Sequence, residues 1–357
     1  MPSDILEEIR AVEEEIRRTP YNKATEAHIG RLKAKLARLR REAAKQRKSG
    51  EKQRGVRKAG DATVALVGFP SVGKSTLLNA LTNANSRIED YYFTTLDAVP
   101  GMFEVNGAKI QVLDLPGVVE GAASGKGRGK EVFSMIRMAD MLLLMVDALE
   151  PEYQLKVLRR ELYEAGIRTN KTPPNVEIRK RDKGGLAIKN ESSLADTTIR
   201  EILKEYKIHN AEVFINEEIT VDELIDVLEG NRKYVPALVV VNKIDLLDEA
   251  TLPNIENAIY ISAKERTNLE TLRNAIFDAL GFIRVYLKPP GGEPSKAPMI
   301  LRRGATVEDV CRKIHNDVAR KFKYARVWGR SVKYGGQHVG LSHELCDGDV
   351  VTIIARK

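Results

Sequence analysis

Gly68-Phe69-Pro70-Ser71-Val72-Gly73-Lys74-Ser75 decides the reading of this chain. The stretch fits G-x-x-x-x-G-K-[ST], a loop that wraps phosphate. Its flanks are those the chemistry needs. Residues 62–67 (Ala-Thr-Val-Ala-Leu-Val) are a short apolar run rich in β-branched side chains and predict a buried strand. Residues 76–81 (Thr-Leu-Leu-Asn-Ala-Leu) predict the helix that follows. Glycines let the backbone turn so that successive N–H groups face one anion. The helix N-terminus adds partial positive charge. Lys74 is then expected to reach the β- and γ-phosphates, and the Ser75 hydroxyl to bind Mg²⁺. Gly68, Pro70, Ser71, Val72, Gly73 and Thr76 complete the expected cradle. The plain alternative is a glycine turn before a lysine, which would need neither the strand nor the helix.

Three further signals follow in order. Residues 109–113 predict a strand running into Asp114-Leu115-Pro116-Gly117, a D-x-x-G. There the carboxylate can hold Mg²⁺ through water, and the Gly117 N–H can meet a γ-phosphate. Gly121, Gly125, Gly127 and Gly129 come next, so a loop ordered by ligand is expected. Residues 236–241 predict a strand ending in Asn242-Lys243-Ile244-Asp245, and residues 259–261 lead into Ser262-Ala263-Lys264. A carboxylate at Asp245 can accept from guanine N1–H and N2–H₂, and adenine offers no such donor pair. Lys243 would lie over the ring, Asn242 would tie loops together, and the Ala263 N–H would meet O6. N-K-x-D alone is a weak signal that a surface turn can produce. In order with three other motifs, each at a strand end, it predicts a doubly wound α/β domain with guanine nucleotide at the strand C-termini.

The chain has 357 residues, enough for two or three domains that each bury a core. Charged residues are 30% and hydrophobic ones 43%, the balance of a soluble protein. The longest apolar run, residues 141–146, suits a buried strand and falls far short of the ~18–20 residues of a membrane span. The first residues carry acids where a signal peptide has a basic region and an apolar core. Cys311 and Cys346 suit a reducing cytosol, so a cytoplasmic location without a membrane partner is expected. His338 and His343 lie near Cys346, but no fourth zinc ligand has suitable spacing.

The net charge of +8 is unevenly placed. Residues 31–58 hold thirteen Lys or Arg and two acids, and residues 282–357 hold fifteen against seven. Two basic ends around an acidic middle suggest a polyanion gripped at the ends; the alternative is a solvated helix face plus a linker. Ile5, Ile9, Val12 and Ile16, then Ile29, Leu32, Leu36 and Leu39, repeat at helical spacing on either side of Thr19-Pro20-Tyr21-Asn22. They predict an antiparallel helical hairpin. Residues 45–58 lose the apolar positions and read as a linker. Residues 141–146 predict a strand, and 152–164, 197–206 and 221–228 predict helices. In the C-terminal region strands are predicted at 283–288, 325–328 and 349–354, with a helix at 307–322. Arg320, Lys321, Lys323, Tyr324, Arg326, Trp328, Arg330, Lys333 and Tyr334 interleave bases with aromatics. Such a mix can hold phosphates and stack on bases; equally, Tyr324 and Trp328 can alternate into a core while the bases face water.

These residues resemble the Obg-like branch of translation-factor-related GTPases, and most of all the developmentally regulated GTP-binding (Drg) family. Four stretches carry the likeness: Gly-Phe-Pro-Ser-Val-Gly-Lys-Ser-Thr-Leu-Leu, Phe-Thr-Thr-Leu, Asp-Leu-Pro-Gly with its glycine-rich loop, and Glu-Tyr-Lys-Ile-His-Asn-Ala-Glu-Val at 205–213. The resemblance implies a helical hairpin and linker over 1–60 and a GTPase domain over 61–165 and 235–282. It also implies a small inserted α/β domain over 166–234 and a ubiquitin-like β-grasp (TGS) domain over 283–357. It implies GTP hydrolysis to GDP, Mg²⁺ held by Ser75, Asp114 and Thr95, and Lys74, Thr95 and Gly117 at the reacting phosphate. Adjacent Thr94 is left open beside Thr95. Potassium is a second ion to consider, although relatives with a clear potassium site often carry asparagine where this chain has Ser71. Many GTPases place a water-orienting glutamine after D-x-x-G; Val118 stands there, so slow intrinsic turnover is expected. Arg128 is a candidate charge donor in cis, against the reading of a solvated arginine. The implied partners are the ribosome, rRNA or tRNA, with a protein partner that stabilises or activates a monomeric GTPase. The rival reading is a GTP-sensing adaptor that hydrolyses little.

Overall fold

The computed structural model describes residues 2–46, 59–82, 99–123, 129–248 and 251–356. Thr94, Thr95 and the rest of 91–96, Gly125, Gly127, Arg128 and most of the linker expected at 45–58 lie outside the described residues. The chain divides into two compact units, Met1–Arg54 with Gly166–Tyr234, and Gly55–Ala165 with Val235–Lys357.

The second unit contains a six-stranded sheet in the order β11-β10-β4-β1-β3-β2. Its strands are β1 (Ala62–Gly68), β2 (Val99–Val105), β3 (Ala108–Asp114), β4 (Met141–Asp147), β10 (Ala237–Asn242) and β11 (Ala258–Tyr260). All neighbours pair in parallel except β2, which runs antiparallel to β3 at the edge. Every residue of β1 is buried, as expected of a central strand covered on both faces. Helices α3 (Lys74–Leu81) and α8 (Leu269–Ala279) close one face, where Val64, Leu66, Leu77, Leu81, Ile110 and Ile276 share one core. A fully buried Leu or Ile contributes roughly 1.5–3 kcal/mol, so this layer is what fixes the position of the loop after β1.

A second sheet in the same unit has five strands in the order β13-β12-β16-β14-β15. They are β12 (Phe282–Leu287), β13 (Met299–Arg302), β14 (Phe322–Trp328), β15 (Gln337–Val339) and β16 (Val350–Ala355). Helix α9 (Val307–Ile314) lays Val307, Val310 and Cys311 on Val285, Ala325, Val327 and Val351, the β-grasp arrangement. The helix predicted over 307–322 is interrupted. His315 is extended (φ −171°, ψ 143°), and its Nδ1 accepts from the Asp317 N–H at 3.2 Å. It thereby caps a separate short helix, α10 (Asn316–Arg320), and Phe322 already belongs to β14.

The first unit joins the N-terminal hairpin to the insertion. Helices α1 (Pro2–Arg18) and α2 (Glu26–Gln46) meet through Val12, Leu32 and Leu39, with Ile9, Ile16 and Leu36 beside them. Asn22 makes the turn: its Oδ1 accepts from the N–H groups of Ala24 and Thr25 at 2.9 and 3.0 Å. The other side of α2 is packed as well. Gly30, Ala34 and Ala37, three and four apart, bring it close to α6 (Asp196–Glu205) and α7 (Val221–Glu229). A Cβ on Gly30 would stand 3.2 Å from Thr198 Cγ2, and Ala34 lies in one core with Ile199, Ile202 and Leu224. The insertion adds a three-stranded sheet, β6 (Val176–Lys180), β8 (Ala211–Ile215) and β7 (Leu186–Asn190).

This packing revises the charge reading. Lys33 pairs with Asp222 at 2.8 Å, Arg38 with Glu205 at 3.0 Å and Arg41 with Glu229 at 3.7 Å, all across the contact between α2 and the insertion. Lys35 and Arg40 pair with Glu8 and Glu13 of α1, each at 2.7 Å. Much of the positive charge of α2 thus faces acids of its own unit. Part of the basic end and part of the acidic middle are two sides of one intramolecular contact.

Candidate functional site

The sheet register places the sequence motifs at one edge. Gly68 is level with Met145, Leu66 with Asp114, Asn242 with Asp147, and Val241 with Tyr260. The C-terminal ends of β1, β3, β4, β10 and β11 therefore open on the same side. Ligands bind outside such ends where the chain order reverses across the sheet, here at β1, between β3 and β4.

The loop after β1 turns through two left-handed residues, Ser71 (φ 63°) and Gly73 (φ 94°). Gly73 has no freedom to change, because a Cβ there would stand 2.3 Å from Asn242 Nδ2. Helix α3 begins at Lys74 without a side-chain cap, which leaves the N–H groups of its first turn available to a ligand. Lys74 is buried and folds back over the loop, its Nζ donating to the carbonyls of Phe69 at 2.9 Å and Gly68 at 3.3 Å. Burial pulls its pKa below the ordinary lysine value, and the nearby Asp114 carboxylate partly opposes that shift. The Ser75 hydroxyl donates to Asp114 Oδ2. A hydroxyl and a carboxylate converging beside a phosphate loop are the hard oxygen donors that suit a Mg²⁺ ion. Gly117 lies against the loop, where a Cβ would stand 2.6 Å from the Pro70 nitrogen. Val118 follows with its side chain buried and its N–H donating to the Gly68 carbonyl at 3.0 Å.

The ends of β10 and β11 supply the rest. Asn242 Nδ2 donates to the Val72 carbonyl at 2.8 Å, and its Oδ1 accepts from the Ala263 N–H at 3.0 Å. Asp245 is held by the Ser262 hydroxyl, which donates to Oδ1 at 2.5 Å. Lys243 is left-handed (φ 69°) and its Nζ donates to Asp147 Oδ2 at 2.6 Å. Lys264 pairs with exposed Glu265 at 3.2 Å. Thr76 is the third residue of α3. The structure thus gathers the residues of the four motifs at one edge, with Thr95 outside the described residues. Asp147 was not singled out in the sequence. Its position at the end of the run 141–146 is the signal that could have found it.

The β-grasp sheet resolves the alternation of its basic, aromatic strand. Ala325 and Val327 enter the core; Tyr324, Arg326 and Trp328 occupy the other face. Tyr324 stacks on His338 at 4.3 Å between centroids, and Arg326 Nε donates to His338 Nε2 at 3.1 Å. Lys288 Nζ sits 5.0 Å from the Trp328 ring centroid. Trp328 is half-buried beside Gly335, where a Cβ would stand 2.8 Å from the indole.

Phosphate loop, paired hydroxyl and carboxylate, and a base-side Asn-Lys-x-Asp at one sheet edge define a P-loop GTPase. The family described as 50S ribosome-binding GTPase matches residues 63–180, its C-terminal region matches 183–282, and the TGS domain matches 283–355. A GTP-binding protein of Methanocaldococcus jannaschii is 53% identical over 366 residues, spanning 99% of this chain and 93% of that protein. Developmentally-regulated GTP-binding protein 1 of Xenopus laevis is 45% identical over 366 residues, spanning 99% of this chain and all (100%) of that one. Its homologue in Dictyostelium discoideum is 44% identical over 368 residues. The chain belongs to the developmentally regulated GTP-binding protein family.

Proposed function

We propose that this GTPase is a nucleotide-dependent switch acting on the ribosome or structured RNA in translation, with slow intrinsic turnover. One observation carries the nucleotide half: Lys74, the Ser75–Asp114 pair, Asn242 and Asp245 converge at a single strand edge. In this reading Lys74 meets the β- and γ-phosphates, and the amides of the loop from Pro70 to Thr76 surround them. Ser75 and Asp114, with Thr95, would hold Mg²⁺, which neutralises phosphate charge. Gly117 N–H faces the γ-phosphate. Asp245 accepts from guanine, Ser262 orients Asp245, and Lys243 and Lys264 flank the base; the Ala263 N–H, which donates to Asn242 Oδ1, meets O6 by sharing its one hydrogen between the two acceptors. Val118, buried and apolar, orients no water, so hydrolysis depends on groups that other residues or a partner supply.

The ribosomal half is supported by the match of 63–180 to a family described as ribosome-binding and by the cationic, aromatic face of the β-grasp sheet. A second reading, a GTP-sensing adaptor for a protein partner, is favoured by the same buried Val118. Co-sedimentation with ribosomes, with GDP and with a non-hydrolysable GTP analogue, separates them. The switch reading expects ribosome association that depends on the analogue; association with neither nucleotide leaves the adaptor.

A further inference from the structure

Glu161 is a carboxylate on α5 (Pro151–Glu164) that is only 2% exposed. It faces the loop that follows Asp114-Leu115-Pro116-Gly117. Its Oε1 accepts from the Gly121 N–H at 2.9 Å and its Oε2 from the Ala123 N–H at 2.8 Å. The turn between them needs Gly121, which is left-handed at φ 84°. Neighbouring Arg160 pairs with Glu120 of the same loop at 2.7 Å and stands 3.6 Å from Glu161 Oε1. Towards its start the loop is held by the Val118 N–H on the Gly68 carbonyl, and the side chains of Val118 and Ala122 are buried. Gly117 lies next to this first anchor, pressed against Pro70.

Burying a carboxylate is costly unless hydrogen bonds compensate it, and an apolar side chain would fill the same space without that cost. Glu161 uses both oxygens on two backbone amides of one loop. That is the geometry of a clamp on backbone position. The clamped backbone begins four residues after Gly117, whose N–H must stay beside the phosphate loop to meet a third phosphate.

We propose that Glu161 is a positioning residue for GTP hydrolysis: it holds the segment after Gly117 so that the Gly117 N–H stays where the γ-phosphate of GTP lies. The inference rests on the guanine-nucleotide reading of the site. It separates GTP from GDP, because GDP has no third phosphate for Gly117 to meet. Arg160 adds a looser tie to the loop from the solvent side.

The test uses the full chain and its Glu161→Ala and Glu161→Gln variants. Affinities for GDP and for guanosine 5′-(β,γ-imido)triphosphate are measured with Mg²⁺, together with kcat and KM for GTP and thermal melts. In Glu161→Ala, analogue affinity and kcat should each fall about tenfold, the scale of one missing charge-assisted hydrogen bond. GDP affinity should stay within about twofold on that scale. Glu161→Gln, near-isosteric and with one acceptor oxygen left, should fold and lie between. The inference is overturned if both variants keep the wild-type kcat and analogue affinity. It is equally overturned if GDP and analogue affinities fall in the same proportion, which would mark Glu161 as merely structural. A wild-type chain that binds neither nucleotide would instead overturn the site reading, and this inference with it.

Discussion

Asn242 joins the two halves of the nucleotide site through one side chain: its Nδ2 donates to the Val72 carbonyl at 2.8 Å while its Oδ1 accepts from the Ala263 N–H. The phosphate loop and the base loops therefore share a buried amide. Asn242→Ala strands a buried carbonyl and a buried N–H, each costing about 1–3 kcal/mol. The expected outcome is a lower melting temperature and GDP affinity reduced by at least about tenfold. A fluorescent-GDP titration with a thermal melt checks both; unchanged affinity would mean that the two loops hold their places without the tie.

Lys74 sets function against stability. Its ammonium is buried beside two carbonyls, and burial lowers its pKa. The folded pKa then lies below the unfolded one, so between the two the unfolded chain binds more protons. The cost of the buried charge is full below the folded pKa and fades as pH rises through that window towards the ordinary lysine value. Lys74→Met should lose the alkaline gain this lysine contributes, so that its melting temperature rises less than that of wild type between neutral and alkaline pH. GTP binding should nevertheless fall by more than about a hundredfold with the loss of a phosphate-contacting charge. Melts at neutral and alkaline pH, beside nucleotide titrations, measure the trade.

Much of the site was legible because its chemistry is local. Gly68 to Ser75 had to follow a strand and open a helix, and it does. What escaped depends on distant partners. Strand β2, where no element is expected from the sequence, contains Pro100 and Gly101; the edge position tolerates the proline, and a Cβ on Gly101 would stand 2.5 Å from Thr82 Cγ2. Glu161 falls inside the helix expected over 152–164 and Asp147 just past the strand expected over 141–146, and no motif in the local sequence marks either. The small-residue stripe Gly30, Ala34, Ala37 lay hidden behind the stronger repeat of Ile29, Leu32, Leu36 and Leu39. It makes α2 a buried layer.

That difference changes what the basic residues should do. Arg38 and Arg41 face Glu205 and Glu229 inside their own unit. Replacing both by alanine should lower the melting temperature of that unit and, on the proposed ribosomal reading, alter the salt dependence of ribosome binding less. Replacing Lys288 and Arg326 on the β-grasp face should do the reverse. Each ion pair with phosphate that is removed should reduce the log–log salt slope by roughly 0.7–0.9. On the same reading, Trp328→Ala, at a ring outside the core cluster, should weaken RNA binding with the fold retained, and loss of the fold would mark the ring as structural. Filter binding over a salt series, with melts, distinguishes the two sets.

Val118 marks where a water-orienting glutamine would stand, but its side chain is buried. Val118→Gln should therefore not accelerate hydrolysis. It should destabilise the chain by about 1–3 kcal/mol by burying an amide without partners. Turnover of the wild-type chain alone should be well under ~1 s⁻¹. A variant that folds normally and hydrolyses faster would mean the position faces the nucleotide after all.

The most direct test of the account is base choice at Asp245, whose Oδ1 is held by the Ser262 hydroxyl. Titrations of wild type and Asp245→Asn with GDP, XDP and ADP, each with Mg²⁺, read it in one experiment. Wild type should prefer GDP over the other two, and Asp245→Asn should reverse the order of GDP and XDP, since an amide donates to the xanthine oxygen where a carboxylate accepts from the guanine amine. Equal affinity of wild type for GDP and ADP, or an Asp245→Asn variant that keeps its guanine preference, would contradict the assignment.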